Sequence, residues 1–244
     1  RYMDGKIAST VVYNKGLSPS EVLENYKSTR SRFGTDGIVT SNLVFSVDAG
    51  NVDSYQNSST TTTSLAGSVT GTLVNGVGFS SECGGTWEFD GVDDIITTDF
   101  PVSTISNVTI EAVVYRNQAT NRYEAIVQNN VVSDDALYVN PSGYLMFWPC
   151  ASSTLTVPIG QWSHVAVSFN GSTLTYIVNG TVQALAASCS HITDWDFLRI
   201  GGHSTTDSER WIGKIAVAKV YNQSLSSSQL IQNYNAYRNR FGLD

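Results

Sequence analysis

Charge is what this chain most lacks. Asp, Glu, Lys and Arg together make up only 14% of its 244 residues, and the formal balance is −7 at neutral pH. Binding a nucleic-acid backbone takes clustered Lys and Arg, and the 14 basic residues here are scattered, which argues against a nucleic-acid partner. Four of them, Arg30, Arg32, Arg238 and Arg240, fall at the ends of expected helices, where they complement the helix dipole. Long apolar runs are missing too. None approaches the roughly 18 residues that a membrane-spanning helix requires, so membrane insertion is not expected. Cysteine is scarce: Cys83, Cys150 and Cys189 cannot all pair within one chain, and none stands in a C-x-x-C. His164, His191 and His203 show no zinc-ligand spacing. Buried free thiols are the expectation, with a Cys150–Cys189 bridge the pairing left open.

What is present is an internal repeat. Gly5-Lys-Ile-Ala8 returns as Gly213-Lys-Ile-Ala216, Val12-Tyr-Asn14 as Val220-Tyr-Asn222, and Arg32-Phe-Gly34 as Arg240-Phe-Gly242. The offset is a constant 208 residues, and residues 5–36 and 213–244 agree at seventeen of thirty-two positions. Solenoid units run to roughly 20–50 residues, so the repeating object at this period is a whole domain. The expectation is a piece of a tandem-domain polypeptide: residues 1–36 as the closing strand and helix of a preceding repeat, 37–41 as a linker, and 42–244 as one complete domain. Two other readings of residues 1–36 stay open, an extension packed on that domain and a segment that completes a neighbouring subunit.

Most of the complete domain alternates with period two. Val165, Val167 and Phe169 point one way from their strand, as do Leu174, Tyr176 and Val178 from the next. Asn170-Gly171 and Asn179-Gly180 follow these runs as hairpin-type turns. Strands are expected at 42–47, 86–90, 94–97, 107–115, 123–128, 136–140, 143–148, 163–169, 173–178, 181–187, 197–200 and 211–221. Short strands with turn signals at about ten-residue spacing read as an all-β sandwich or barrel. Residues 51–72, with their Ser/Thr run, read as a surface loop. One helix closes each repeat: Ser226 and Gln229 form a capping box ahead of Leu230, Tyr234, Tyr237 and Phe241, and Ser18, Pro19 and Glu21 offer the same start in the first copy.

Six motifs in order then carry a family resemblance: Leu43-Val-Phe-Ser-Val-Asp-Ala-Gly-Asn51, Gly71-Thr-Leu-Val-Asn-Gly76, Phe89-Asp-Gly-Val-Asp-Asp94, Trp162-Ser-His-Val-Ala166, Tyr176-Ile-Val-Asn-Gly180 and Gly213-Lys-Ile-Ala216. Together they resemble the concanavalin A-like, laminin-G-type jelly-roll domains over nearly all of residues 38–244. The ending Gln-Asn-Tyr-Asn-Ala-x-Arg-x-Arg-Phe-Gly is similar to tandem domains in virion proteins of marine tailed bacteriophages. The resemblance implies two packed antiparallel sheets, frequently a calcium site, and a role in binding glycans or other surfaces. It does not imply catalysis. Relatives that cleave polysaccharides need two carboxylates on one strand face, and here Glu88-Phe-Asp90-Gly-Val-Asp93 departs from their Glu-x-Asp-x-x-Glu pattern at the last position. No catalytic residue is therefore expected.

Asp90, Asp93 and Asp94 crowd one turn, and Asp48 precedes the Ala-Gly-Asn bend. Hard oxygen donors of this kind suit calcium, while aspartates also favour turns because they bond their own backbone; both readings stay open. Trp148, with Tyr138 nearby, offers a flat apolar face on which a sugar ring stacks, and the alternative is a core or interface position. Asp134, Asp135 and Asn129 lie on a loop at the same strand ends, as binding loops do. Trp87, Trp162 and Trp211 sit in alternating strands and read as core, His164 as a structural residue, and His203 as a loop residue with no visible partner.

The leading expectation is a non-enzymatic module of an extracellular or virion-surface array, binding glycans or a host cell surface beside neighbouring copies or other virion proteins. A purely structural spacer or decoration domain is the alternative. A polysaccharide-cleaving enzyme is disfavoured by the missing carboxylate.

Overall fold

The computed structural model describes residues 10–22, 25, 37–101, 103–129, 136–187, 194–203 and 209–243. Within them the strands run β1 (Leu43–Asp48), β2 (Thr61–Thr63), β3 (Thr70–Val74), β4 (Gly78–Ser80), β5 (Thr86–Asp90) and β6 (Ile95–Thr98). Then follow β7 (Ser103–Thr104), β8 (Val108–Arg116), β9 (Glu124–Gln128), β10 (Ala136–Val139), β11 (Tyr144–Trp148) and β12 (Ser152–Thr156). The chain continues through β13 (Trp162–Phe169), β14 (Thr173–Val178), β15 (Thr181–Ala186), β16 (Asp194–Trp195), β17 (Arg199–Ile200) and β18 (Ile212–Tyr221), and closes with helix α1 (Ser227–Phe241). Every strand expected from the alternation is present, displaced by at most two residues at an end.

Two eight-stranded antiparallel sheets face each other. The first runs β15-β14-β13-β8-β18-β5-β4, with β1 added beside β18; the second runs β12-β11-β10-β9-β17-β6-β3-β2. Strand β18 organises the first sheet. Its N-terminal half pairs with β5, its C-terminal half with β1, and its other edge with β8, the register shifting between Ile215 and Val217. The alternation then sorts side chains into layers. Val108, Ile110, Ala112 and Val114 of β8 join Val165, Val167 and Phe169 of β13 in the core between the sheets. Trp87 and Trp211 are buried there too. This is the all-β, two-sheet antiparallel sandwich with one closing helix that the sequence led us to expect.

The outer face of the first sheet is covered by α1. Ser226 accepts from the Gln229 backbone N–H, Gln229 answers at the Ser226 N–H, and Gly242 ends the helix in the left-handed region at φ 60°. Leu230, Tyr234, Tyr237 and Phe241 pack with Val113, Trp162, Ala166 and Ile177. At Gly180 the hairpin passes so close that an added Cβ would lie 2.9 Å from the Tyr234 ring, and both Asn179 and Gly180 adopt positive φ. A two-residue turn with two positive φ values matches the twist of the strands it joins. The Asn170-Gly171 turn is built otherwise: Asn170 Oδ1 accepts from the N–H of Ser172 and of Thr173, at 3.1 and 2.8 Å.

Beneath the helix lies a buried polar knot. Lys219 Nζ donates to Glu111 Oε1 at 3.2 Å, Asn233 Nδ2 to Glu111 Oε2 at 2.5 Å, and His164 Nε2 stands 3.6 Å from Glu111 Oε1. Tyr237 receives a hydrogen bond from Lys219, and Asn233 ties in Tyr221 and the backbone of Val39. Burial by itself would push the Glu111 carboxyl up, but Lys219, His164 and Asn233 outweigh it and hold it down at about 2. A buried charge survives only where it is paired and hydrogen-bonded, so Glu111 and Lys219 depend on each other.

Two sequence expectations are corrected. Residues 51–72 are not a plain loop: Thr61–Thr63 and Thr70–Val74 pair as β2 and β3, with Thr62 buried at 1% exposure. Threonine suits a pleated strand as well as a loop, and pairing partners decide which it joins. Free thiols are not the rule either, since Cys150 is disulfide-bonded; Cys83 is free, and Cys189 lies outside the described residues. Near the start of the chain a helical turn at residues 19–22 carries the expected capping box, with Glu21 N–H to Ser18 Oγ at 3.3 Å and Ser18 N–H to Glu21 Oε2 at 2.8 Å.

Candidate functional site

The outer face of the second sheet has no helix over it among the described residues. Alternation there turns Leu137, Val139, Leu145 and Phe147 into the core and leaves Ala125, Ala136, Tyr138 and Met146 as a small separate cluster outside. Around this cluster the aromatic rings gather. Tyr123, just before β9, stands edge-on to Tyr138 of β10 at 6.1 Å and to Trp148 at the end of β11 at 6.4 Å. Trp148 is 42% exposed and Tyr123 36%, whereas Trp87 and Trp211 are wholly buried.

The segment before β18 adds the polar groups. Tyr138 Oη donates to Glu209 Oε2 at 3.0 Å, and His203 Nε2 lies 4.0 Å from the same oxygen. Tyr123, Tyr138, Trp148, His203 and Glu209 together line a cavity of about 240 Å³. Flat apolar rings beside a carboxylate and an imidazole can stack the C–H face of a sugar and bond its hydroxyls. A larger groove of about 540 Å³ runs past Leu43, Val69 and Phe100. Its charged lining residue, Asp99, already accepts from the Thr70 N–H at 2.5 Å.

Of the residues singled out from sequence, Trp148 and Tyr138 thus meet in one cavity. Asn129 is fully buried, at 0% exposure, and does not line it. Asp134 and Asp135 lie outside the described residues. Tyr123, His203 and Glu209 were not anticipated, because they are brought to Trp148 by pairing between strands far apart in the chain. His203, expected to stand alone, faces Glu209.

The acidic turn follows β5. One carboxylate oxygen from each of Asp90, Asp93 and Asp94 lies within 4.8 Å of the others. Asp90 Oδ1 accepts from the Val92 N–H at 2.7 Å, and Asp94 Oδ2 from the Asp90 N–H at 2.9 Å, so the aspartates do brace their own turn. Burial pushes the Asp94 carboxyl up, and the charges of Asp90 and Asp93 add to the rise. Asp48 does not belong to this group. Its Oδ2 accepts from Arg240 Nη1 at 2.7 Å, and its Oδ1 from the Gly50 N–H. Glu88, on the exposed face of β5, sits 3.6 Å from Lys214. No described helix is long and apolar enough to cross a membrane.

Comparison with known proteins bears on the fold. Domain 4 of AbnA, an extracellular arabinanase from Geobacillus stearothermophilus solved with arabinotriose, superposes with a TM-score of 0.60 at 16% identity, over 79% of this chain and 98% of that one. The binding domain of Paraclostridial Mosquitocidal Protein 1 gives 0.63 at 15% identity, over 81% and 53%. The receptor binding domain of botulinum neurotoxin D gives 0.61 at 11% identity, over 79% and 52%, so this chain spans about half of either toxin domain's chain. No curated protein sequence matches it. A laminin-G-type family model, described as the concanavalin A-like lectin/glucanases superfamily, matches residues 89–231, more than half of the chain, and the protein belongs to that family.

Proposed function

We propose that this protein is a non-enzymatic glycan-binding module working outside the cell or on a virion surface, as one unit of a tandem array in a phage structural or fibre protein. The observation that carries the reading is the cavity in which Trp148, Tyr123 and Tyr138 surround the Glu209 carboxylate. Wholly buried tryptophans need no ligand, but an exposed ring group with a tethered acid is what a sugar site requires. Domain 4 of AbnA, solved with an arabinose trisaccharide, has the same fold, which supports the class of ligand. The disulfide at Cys150 supports an oxidising, extracellular setting.

The lining also bears on which glycan. It contains a carboxylate and an imidazole and neither Arg nor Lys. Such a site suits neutral or amino sugars, because an acidic sugar would meet like charge. A single shallow cavity binds weakly, and repetition along an array raises effective concentration without a new contact.

Calcium enters the same reading at the turn after β5. Asp90, Asp93 and Asp94 supply hard oxygens close enough to share one ion, and a cation there would offset the burial and the like charges that raise Asp94. It would brace the turn, whose aspartates do not line the sugar cavity.

The test is a glycan array probed with the chain in calcium and in chelator, repeated with Trp148→Ala. Binding to neutral or amino-sugar glycans that is lost in the variant is the expected result. A blank array in both conditions would overturn the reading in favour of a structural spacer, and release of sugar products would overturn the non-enzymatic assignment.

A further inference from the structure

Positions 208 residues apart in the repeat have opposite environments. Val220 and Tyr221 of β18 are fully buried, whereas Val12 and Tyr13, which stand at the equivalent places, are 89% and 43% exposed. Val11, 65% exposed, is the equivalent of Lys219, which is 3% exposed. The start of the second element is nevertheless the same in both, with the Ser18–Glu21 capping box matching Ser226–Gln229. The first copy thus keeps the sequence of a closing strand and helix, while Val11, Val12 and Tyr13 lack the sheet that buries their counterparts.

We infer that the segment carrying Val11, Val12, Tyr13 and the Ser18–Glu21 box closes a second sandwich of this architecture, one that carries no carboxylate where this sandwich has Glu111. The occupant follows from the repeat: side chains that match a sheet-buried strand fit the groove that such a strand fills, between the equivalents of β1 and β8. The restriction follows from position 11. In this sandwich Lys219 faces Glu111 at 3.2 Å in a fully buried setting, and a valine in its place leaves the carboxylate with His164 at 3.6 Å as its remaining basic neighbour. An uncompensated buried charge is strongly destabilising. A second copy of this chain therefore cannot be the acceptor, and its groove is in any case filled by its own β18.

The pairing that survives the exchange fits this picture. Tyr221 and Asn233, joined by a 3.0 Å hydrogen bond, are retained as Tyr13 and Asn25, while the cation and Tyr237 are replaced by Val11 and Thr29. What is kept is neutral, the Asn233 amide that donates to Glu111 at 2.5 Å included, and what is lost is the cation that balances the carboxylate's charge, together with the tyrosine bonded to that cation.

The experiment is a four-protein thermal melt: the natural chain and a chimera in which residues 213–244 are replaced by the sequence of residues 5–36, each with and without Glu111→Gln. In the natural chain Glu111→Gln strands Lys219 and is expected to lower Tm by roughly 5–15 °C. In the chimera the same substitution removes the stranded carboxylate and is expected to raise Tm or restore a cooperative transition. Equal loss in both backgrounds overturns the inference, as does a chimera that shows no cooperative melt with either residue at position 111. Light scattering of the natural chain is expected to give a monomer; a dimer in which Tyr13 becomes buried would overturn the exclusion of a second copy. None of these outcomes depends on whether the chain binds a glycan.

Discussion

Tyr138 donates to Glu209 across 3.0 Å, and that one bond fastens a middle strand of the second sheet to the segment leading into the central strand of the first. It fixes the carboxylate beside the Tyr123 and Trp148 rings. A polar group anchored in this way costs little further entropy when it meets a ligand hydroxyl, which is the physical basis of a preorganised site.

Trp148→Ala should weaken binding to a recognised neutral glycan by roughly tenfold, equivalent to about 1.4 kcal/mol of lost stacking. Because Trp148 is already 42% exposed, the melting temperature should move by no more than about 2 °C. Titration calorimetry paired with a thermal melt separates the two effects, and loss of both together would mark Trp148 as structural.

Acid should unfold this protein through Glu111. Its folded carboxyl is held at about 2 against an ordinary value of 4.5, so it binds fewer protons folded than unfolded at intermediate pH. The stability it contributes is full above about pH 4.5 and is lost as pH falls toward 2, on the order of 3 kcal/mol in all. Urea midpoints between pH 6 and pH 2 should fall more steeply for the natural chain than for Glu111→Gln.

Chelator should lower the melting temperature, and calcium should restore it, if Asp90, Asp93 and Asp94 share an ion. Replacing Asp93 with Asn should abolish that response while leaving the sugar cavity intact. Melts in chelator, calcium and magnesium decide it, and no shift in any of them removes calcium from the account.

Ser226→Ala should cost about 1 kcal/mol, because the capping box satisfies backbone donors at the start of α1. A urea midpoint shift at unchanged slope would identify the loss as one of stability alone.

Reducing the disulfide at Cys150 should lower stability by about 2–4 kcal/mol. Unfolding with and without reductant measures it, and the free Cys83 should be labelled by a thiol reagent in both conditions.

The sequence by itself determined twelve of the eighteen described strands, the closing helix and the family, because those follow from local regularities. Alternation at Val165, Val167 and Phe169 reports which face is buried wherever the partner lies, and the Ser226–Gln229 box announces a helix within four residues. Trp87 and Trp211 were legible as core by the same period. Tertiary structure alone decided the rest. Thr61–Thr63 becomes a strand because β3 lies beside it, and Asp48 pairs with Arg240, 192 residues away. Glu111 meets Lys219 over a separation of 108. Glu209 reaches Tyr138 from 71 residues off. Periodicity carries the direction of a side chain but not the identity of what it faces, and a site built from four separate segments is defined by what its residues face.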